Sequence, residues 1–221
     1  DLLLRPSLQH RIESGLQKIA DLSSDVGIVV GYPWKTEEQG KSQLFNMAGV
    51  WYQGEKVAEY AKRCLPNYQV FDEQRYFTAG DQVCVFDWQG HTLGLMICED
   101  IWHQQPVEET KAAGAEMIIN INASPFHVGK LQQRHDLLAS YATSHQLPIV
   151  YVNQVGAQDE LVFDGASFVV DSRGELVASL AEHESGLLAV NVQHSGEAQA
   201  LKIEAQQVLV PKAELASIYD T

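Results

Sequence analysis

The chain has 221 residues, of which 45% are apolar and 20% are charged, a composition typical of a globular protein with a sizeable core. Its formal net charge of −14 argues against a nucleic acid or an anionic membrane surface as partner, because binding of phosphate groups needs a basic face. No apolar stretch approaches the roughly 20 residues that span a bilayer. The three cysteines lack CxxC spacing and the eight histidines form no metal-binding motif, so we expect a cytoplasmic protein with reduced thiols and no metal site.

The first part of the chain predicts one helix followed by strands. Apolar residues at three- and four-residue spacing predict an amphipathic helix over Pro6–Ser23. The apolar run Asp25–Tyr32 predicts a buried strand, and the polar residues Glu37–Gln43 predict a loop. Two hairpins should follow, with turns at Gln53-Gly54 and Gln89-Gly90. Their predicted strands are Leu44–Gln53 with Lys56–Tyr60, and Val83–Trp88 with Thr92–Cys98.

The second part alternates helices and strands. The predicted elements are a helix over Val107–Ala113 ended by Gly114, a strand over Ala115–Asn122, a helix over Lys130–His145 and a strand over Pro148–Asn153. An antiparallel set should follow, formed by Ala166–Asp171, Glu175–Leu180 and Gly186–Val192. Hairpins inserted between helices and strands predict a mixed α/β (α+β) fold in which sheets pack on each other with helices outside, and not a simple doubly wound sheet.

Cys98 is the first candidate for chemistry. It ends the apolar strand pattern and is followed at once by two acids, Glu99 and Asp100. A thiol at the carboxyl end of a buried strand is well placed to act as a nucleophile. A cysteine that only fills the core is the simpler interpretation of the residue by itself, since free cysteines are among the most buried residues.

Four segments, taken together and in this order, favour the catalytic interpretation. They are the K-x-x-L-P segment Lys62–Pro66, the I-C-E-D segment Ile97–Asp100, the N-A-S-P-F segment Asn122–Phe126 and the F-D-G-x-S segment Phe163–Ser167. In order and approximate spacing the chain resembles the nitrilase (carbon–nitrogen hydrolase) superfamily, and within it the glutamine-hydrolysing domains of glutamine-dependent NAD synthetases. The resemblance covers nearly the whole chain and implies an α-β-β-α sandwich.

The resemblance also implies catalytic roles. Cys98 would be the nucleophile, and the ammonium of Lys62 would lower the pKa of its thiol and hold the oxyanion of the tetrahedral intermediate. Glu73 would bind Lys62 and orient the substrate amide, although an ordinary ion pair with Arg75 is the alternative. The family's general base is a glutamate that we expect upstream of Asp1, together with the first strand of the fold. Glu13, in the middle of a predicted helix, is a poor replacement.

The substrate implied by the resemblance is L-glutamine. The positions that correspond to its binding residues in relatives are Tyr68, Phe71, Glu99, Ser124 and Lys130. Acids and hydroxyls would receive the α-ammonium, and a cation would receive the α-carboxylate. The reaction would be amide hydrolysis through a cysteine thioester, supplying ammonia for NAD synthesis from deamido-NAD.

No phosphate-binding glycine loop occurs in the chain, so we expect no cofactor here. The resemblance implies that ATP and magnesium belong to a separate synthetase domain. We expect a nitrilase-like glutaminase domain over residues 1–210, the start of a linker over residues 211–221, and a homo-oligomer. Two alternatives remain open. The chain could be a freestanding amidase or carbamoylase of the same superfamily, or a nitrilase-fold module without catalysis.

Overall fold

The computed structural model describes residues 2–38, 41–194 and 201–206. The chain divides into two compact units, residues 1–115 and residues 116–221. The expected linker over residues 211–221 lies outside the described residues. Among the described residues, no helix is both long and apolar enough to cross a membrane.

The first unit begins with the predicted amphipathic helix. This helix, α1, spans Pro6–Leu22, with a proline in its first turn where the backbone N–H has no helical partner. Its apolar side packs on a cluster that contains Tyr32, Met47 and Trp51. The apolar residues of the predicted periodicity therefore form the face of α1 that covers a sheet, as expected for an amphipathic helix.

A three-stranded antiparallel sheet receives α1. Its strands are β1 (Ile28–Glu38), β2 (Lys41–Tyr52) and β3 (Glu55–Ala61), in that order. The positive φ angles of Gln53 (52°) and Gly54 (80°) fit the tight turn predicted between β2 and β3. The predicted loop over Glu37–Gln43 is wrong, because β1 and β2 stay paired out to Glu38 and Lys41. Backbone hydrogen bonds carry this end of the hairpin, and they do not require apolar side chains.

The second predicted hairpin leads to the candidate nucleophile. Strands β4 (Val85–Trp88) and β5 (His91–Ile97) pair antiparallel across Gln89-Gly90. Five consecutive residues of β5, from Leu93 to Ile97, are buried. A short 3-10 helix over Cys98–Trp102 follows directly, so Cys98 lies just past the strand that was predicted to include it.

Helix α2 completes the first unit. It spans Gln104–Ala112 and so begins three residues before the predicted start at Val107. Gly114 follows the helix with a φ of 98°, as a left-handed residue after a helix end should.

The second unit is built on a parallel pair of strands joined by a helix. Strand β6 (Met117–Asn122) and strand β7 (Ile149–Asn153) pair in parallel, and α3 (Lys130–His145) connects them with the predicted bounds. On the other side of β7 lie β10 (Phe168–Val170) and then β11 (Leu176–Ser179), both antiparallel to their neighbours. The strands before β10 are β8 (Val155–Gln158) and β9 (Leu161–Asp164), a hairpin that the sequence did not indicate.

One predicted strand has a different partner. The segment Gly186–Val192 was expected to extend the set formed with β10 and β11. It instead contributes to β12 (Ala189–His194), which pairs with β13 (Leu201–Gln206). The apolar side chains Leu201 and Ile203 are buried in this pair, which gives β12 a partner later in the chain.

Candidate active site

Cys98 occupies a strained position at the end of β5. Its φ of 45° places it in the left-handed region, which is uncommon for a residue with a side chain. The side chain is 8% exposed. Backbone strain of this kind, about 1–3 kcal/mol, persists only where the surroundings fix it, and it is concentrated at functional sites.

Lys62 and Glu73 form an almost buried ion pair. Lys62 follows β3, its side chain is 1% exposed, and its Nζ lies 2.7 Å from Oε1 of Glu73. Arg75 pairs with Asp72 at 3.4 Å, so it is not the partner of Glu73. The second oxygen of Glu73, Oε2, is buried and has no hydrogen-bond partner among the described residues. That oxygen is free to accept a hydrogen bond from a bound amide.

The thiol of Cys98 lies among charges of both signs. Burial raises its pKa to about 11, the positive charge of Lys62 lowers it, and Glu73, Glu99 and Asp100 raise it. The expectation that Lys62 acts on the thiol therefore holds in direction, but burial and three acids outweigh one cation. The thiol is protonated near neutral pH and needs a proton acceptor when it reacts.

Glu99, directly after the thiol, is held by an aromatic residue. The hydroxyl of Tyr68 donates to both carboxylate oxygens of Glu99, at 2.9 and 3.0 Å. The Phe71 ring contacts the Tyr68 ring edge-on, with centroids 5.7 Å apart. Nε2 of His103 lies 3.4 Å from Glu99. Burial, followed by the hydrogen bond to Glu99, raises the pKa of Tyr68 to about 12, so its hydroxyl remains a donor.

A cavity of about 560 Å³ opens over this carboxylate, lined by Tyr68, Glu99, Cys64 and His103 among others. Glu99 is buried, whereas half of the Tyr68 side chain is exposed. The cavity thus presents an aromatic surface beside a nearly buried negative charge. This combination suits a small cationic group such as an α-ammonium.

The first unit therefore brings together six of the eight predicted site residues. The remaining two, Ser124 and Lys130, belong to the second unit. Ser124 is buried after β6, and its backbone N–H donates to Oδ1 of Asn153 at 2.9 Å. Lys130 is the first residue of α3 and is half-buried.

The second unit holds Ser124 through a charged network that sequence reasoning missed. One Nη of Arg134 donates to the carbonyl and the hydroxyl oxygens of Ser124, both at 3.1 Å. Its other Nη donates to Asp164 at 2.7 Å, and both side chains of this ion pair are fully buried. The amide of Asn153 donates to the Ser124 carbonyl and to Asp164.

A signal for Arg134 existed in the sequence. The larger apolar residues of α3 are Leu131, Leu137, Leu138 and Tyr141. Arg134 lies three residues after Leu131 and four before Leu138. Only Leu138 of these four is buried, whereas Arg134 and Ala142 are buried as well. An arginine in phase with an apolar stripe predicts a buried partner of opposite charge, here Asp164.

Comparison with known proteins places the chain in a family. Residues 11–201 match the family described as Carbon-nitrogen hydrolase. The chain belongs to the carbon–nitrogen hydrolase family. The match covers the segments that hold the thiol, Lys62 and Glu73, and those that hold Ser124 and Lys130.

Two curated relatives share a name. The glutamine-dependent NAD(+) synthetase of Acinetobacter baylyi is 42% identical over 176 residues, which are 80% of this chain and 32% of the relative. That of Aquifex aeolicus is 40% identical over 206 residues, which are 92% of this chain and 35% of the relative. The chain thus spans about a third of the length of these relatives.

A solved structure agrees with both. Glutamine-dependent NAD+ synthetase from Acinetobacter baumannii superposes with a TM-score of 0.80 and 34% identity, over 96% of this chain and 39% of that one. The nitrilase-type mixed α/β fold that the sequence predicts is thereby confirmed. Within the described residues, no three His, Cys, Asp or Glu side chains form a group that could hold a metal ion.

The buried ion pair of the second unit generates a stability prediction. Asp164→Asn should lower the free energy of unfolding by about 3–5 kcal/mol, because it leaves the charge of Arg134 buried without its partner. Glu175→Gln is the matched control: the Arg173–Glu175 pair has the same 2.7 Å separation but is mostly exposed, and its loss should cost about 1 kcal/mol or less. Urea unfolding measures both values, and equal losses would contradict the assigned role of burial.

The electrostatics of the thiol generate a pH prediction. Because burial raises the pKa of Cys98 to about 11, its alkylation by iodoacetamide should accelerate about tenfold per pH unit from about pH 7 to 10, without a plateau. Mass spectrometry of the Cys98 peptide separates this thiol from Cys64 and Cys84. A plateau below about pH 8 would mean that the thiol is already ionised near neutrality.

Proposed function

We propose that the chain is a glutaminase that hydrolyses the side-chain amide of L-glutamine through a thioester on Cys98 and supplies ammonia for NAD synthesis. The observation that carries this proposal is the environment of Cys98: a strained, buried thiol acted on by the charge of Lys62, directly before a carboxylate held open to a cavity by Tyr68. The names of the relatives support the choice of glutamine and of NAD.

The chemistry proceeds in two acyl transfers. The thiol of Cys98 gives up its proton, its sulfur attacks the amide carbon, and the ammonium of Lys62 stabilises the negative oxygen that forms. The C–N bond then breaks, the nitrogen takes a proton and leaves as ammonia, and a γ-glutamyl thioester remains. Water attacks the thioester, which releases glutamate and returns the proton to sulfur. The family resemblance implies a glutamate as the proton acceptor.

The residues around the thiol suit the polar groups of the substrate. Oε2 of Glu73, buried without a partner among the described residues, can accept one N–H of the amide. The carboxylate of Glu99 can receive the α-ammonium, stacked against the exposed ring of Tyr68. By the family resemblance, the hydroxyl of Ser124 would also receive the α-ammonium, and the cation of Lys130 would receive the α-carboxylate.

The proposal extends to partners. The ammonia would be used by a synthetase domain that amidates deamido-NAD and carries the ATP and magnesium sites, and the glutaminase reaction itself would need no cofactor. We also propose a homo-oligomer in the cytoplasm. The free state of Cys64, Cys84 and Cys98 supports a reducing compartment.

The nucleophile can be tested by ammonia release from L-glutamine, measured with the protein at the full length that its gene encodes. Cys98→Ala should abolish release, a loss of at least about 10⁴-fold, because the thioester can no longer form. Cys84→Ala, which removes another buried thiol, should keep its activity. Ammonia release by Cys98→Ala would refute the assignment of Cys98 as the nucleophile. If the unsubstituted protein releases no ammonia, another amide substrate or a module without catalysis is favoured.

The role of Glu99 predicts a change in substrate choice. Glu99→Gln removes the charge that receives the α-ammonium and should raise KM for glutamine about 10- to 100-fold while changing kcat little. For glutaramate, which has the same amide but no α-amino group, the substitution should change KM little. Glu108→Gln on the exposed face of α2 is the control. An equal loss for both substrates would assign Glu99 to the fold and not to ammonium recognition.

A further inference from the structure

Asp100 has a role that neither the family match nor the proposed chemistry assigns. Its side chain is fully buried, and its two carboxylate oxygens accept four hydrogen bonds. Oδ2 accepts from the backbone N–H of Ile97 at 3.1 Å and from the hydroxyl of Tyr60 at 2.8 Å. Oδ1 accepts from the backbone N–H groups of Arg63 at 3.1 Å and Cys64 at 2.7 Å.

These four donors come from two segments of different origin. Ile97 is the residue before the thiol, at the start of the left-handed turn. Tyr60, Arg63 and Cys64 bracket Lys62 on both sides along the chain. One carboxylate thus joins the backbone that carries the thiol to the backbone that carries the ammonium. Both segments are otherwise separated by more than 30 residues of sequence.

The rest of the Lys62 backbone is fixed on its other sides. Its N–H donates to the carbonyl of Asn46 at 2.8 Å, and its carbonyl accepts from Gly80 at 2.9 Å. Only glycine fits at position 80, because a Cβ there would lie 2.3 Å from the carbonyl oxygen of Ala61. The bonds to Asn46 and Gly80 do not reach the Cys98 turn. Asp100 supplies the connection between that turn and the segment of Lys62.

We propose that Asp100 is a positioning residue that sets the placement of Lys62 relative to the Cys98 thiol. This inference rests on the proposed catalytic roles of Cys98 and Lys62. Asp100 does not favour the thiolate by its charge, since that charge raises the pKa of Cys98. Its contribution is geometric: small displacements of catalytic groups are costly, and about 1 Å can reduce a rate 100-fold.

The substitution Asp100→Asn separates geometry from charge. With its oxygen on Arg63 and Cys64, the asparagine would turn its NH₂ toward the N–H of Ile97, donor against donor. The tie between the two segments weakens, while the negative charge near the thiol disappears. Loss of charge alone would speed alkylation of Cys98, and loss of alignment with Lys62 would slow it.

A double-mutant cycle with Lys62→Met then tests the proposal in the full-length protein. The first readout is iodoacetamide alkylation of Cys98, which needs no glutamine. Asp100→Asn should slow alkylation about tenfold when Lys62 is present. In the Lys62→Met background, where only the loss of charge acts, alkylation should be unchanged or faster. Faster alkylation in both backgrounds, or equal slowing in both, would overturn the proposal.

The second readout is glutamine turnover. Asp100→Asn should lower kcat about 100-fold and leave KM within about threefold, because Glu99 and Tyr68 keep the substrate site. Asp21→Asn, the same change on the exposed side of α1, is the control. If no variant releases ammonia from glutamine, including the unsubstituted protein, the proposed substrate fails, whereas the alkylation cycle still decides the role of Asp100.

A milder variant covers the case in which Asp100→Asn does not fold, as judged by circular dichroism. Tyr60→Phe removes one of the four donors and leaves the carboxylate on the three backbone N–H groups. It should slow alkylation about threefold when Lys62 is present and have no effect in the Lys62→Met background. Unchanged alkylation in both backgrounds would overturn the proposal.

Discussion

The left-handed backbone at Cys98 is the constraint on which the rest of the first unit depends. The φ of 45° at this residue is held by the chain on both sides. On one side, five buried residues of β5 anchor the strand that ends at Ile97. On the other side, the 3-10 helix returns Asp100 to accept the N–H of Ile97, closing the turn on itself. The fixed backbone thereby sets the direction of the Cα–Cβ bond that carries the thiol.

Burial of the thiol determines which charges the site can hold. Lys62 is as buried as the core residues, so its ammonium is stable there only with Glu73 at 2.7 Å and the nearby acids. Glu73 in turn keeps one oxygen without a partner among the described residues. The same principle applies in the second unit, where Arg134 is fully buried against Asp164 and donates from its second Nη to Ser124. In each unit a buried ion pair holds a segment that bears a predicted site residue.

The sequence predicts the parts of this arrangement that depend on local pattern. Helix α3 and the hairpin turns follow from periodicity and from Gln-Gly pairs, and Lys62, Cys98 and Glu73 follow from ordered segments that resemble a family. The polar end of the β1–β2 hairpin could not be predicted, because backbone pairing there has no apolar signature. Nor could the partner of β12, because the sequence pattern predicts no strand over Leu201–Gln206. Asp100 was seen as an acid beside a thiol, but its four donors lie on two segments that only the fold brings together.

The balance of charge around Cys98 connects substrate binding to its reactivity. Among the described residues, the charge of Lys62 lowers the pKa of the thiol, whereas the charges of Glu73, Glu99 and Asp100 raise it. In the proposed reaction, the substrate would bring an ammonium to Glu99, which would offset one of these three negative charges and act to lower the pKa of the thiol. The acids that surround Cys98 are therefore compatible with nucleophilic catalysis, because the substrate itself supplies the missing positive charge.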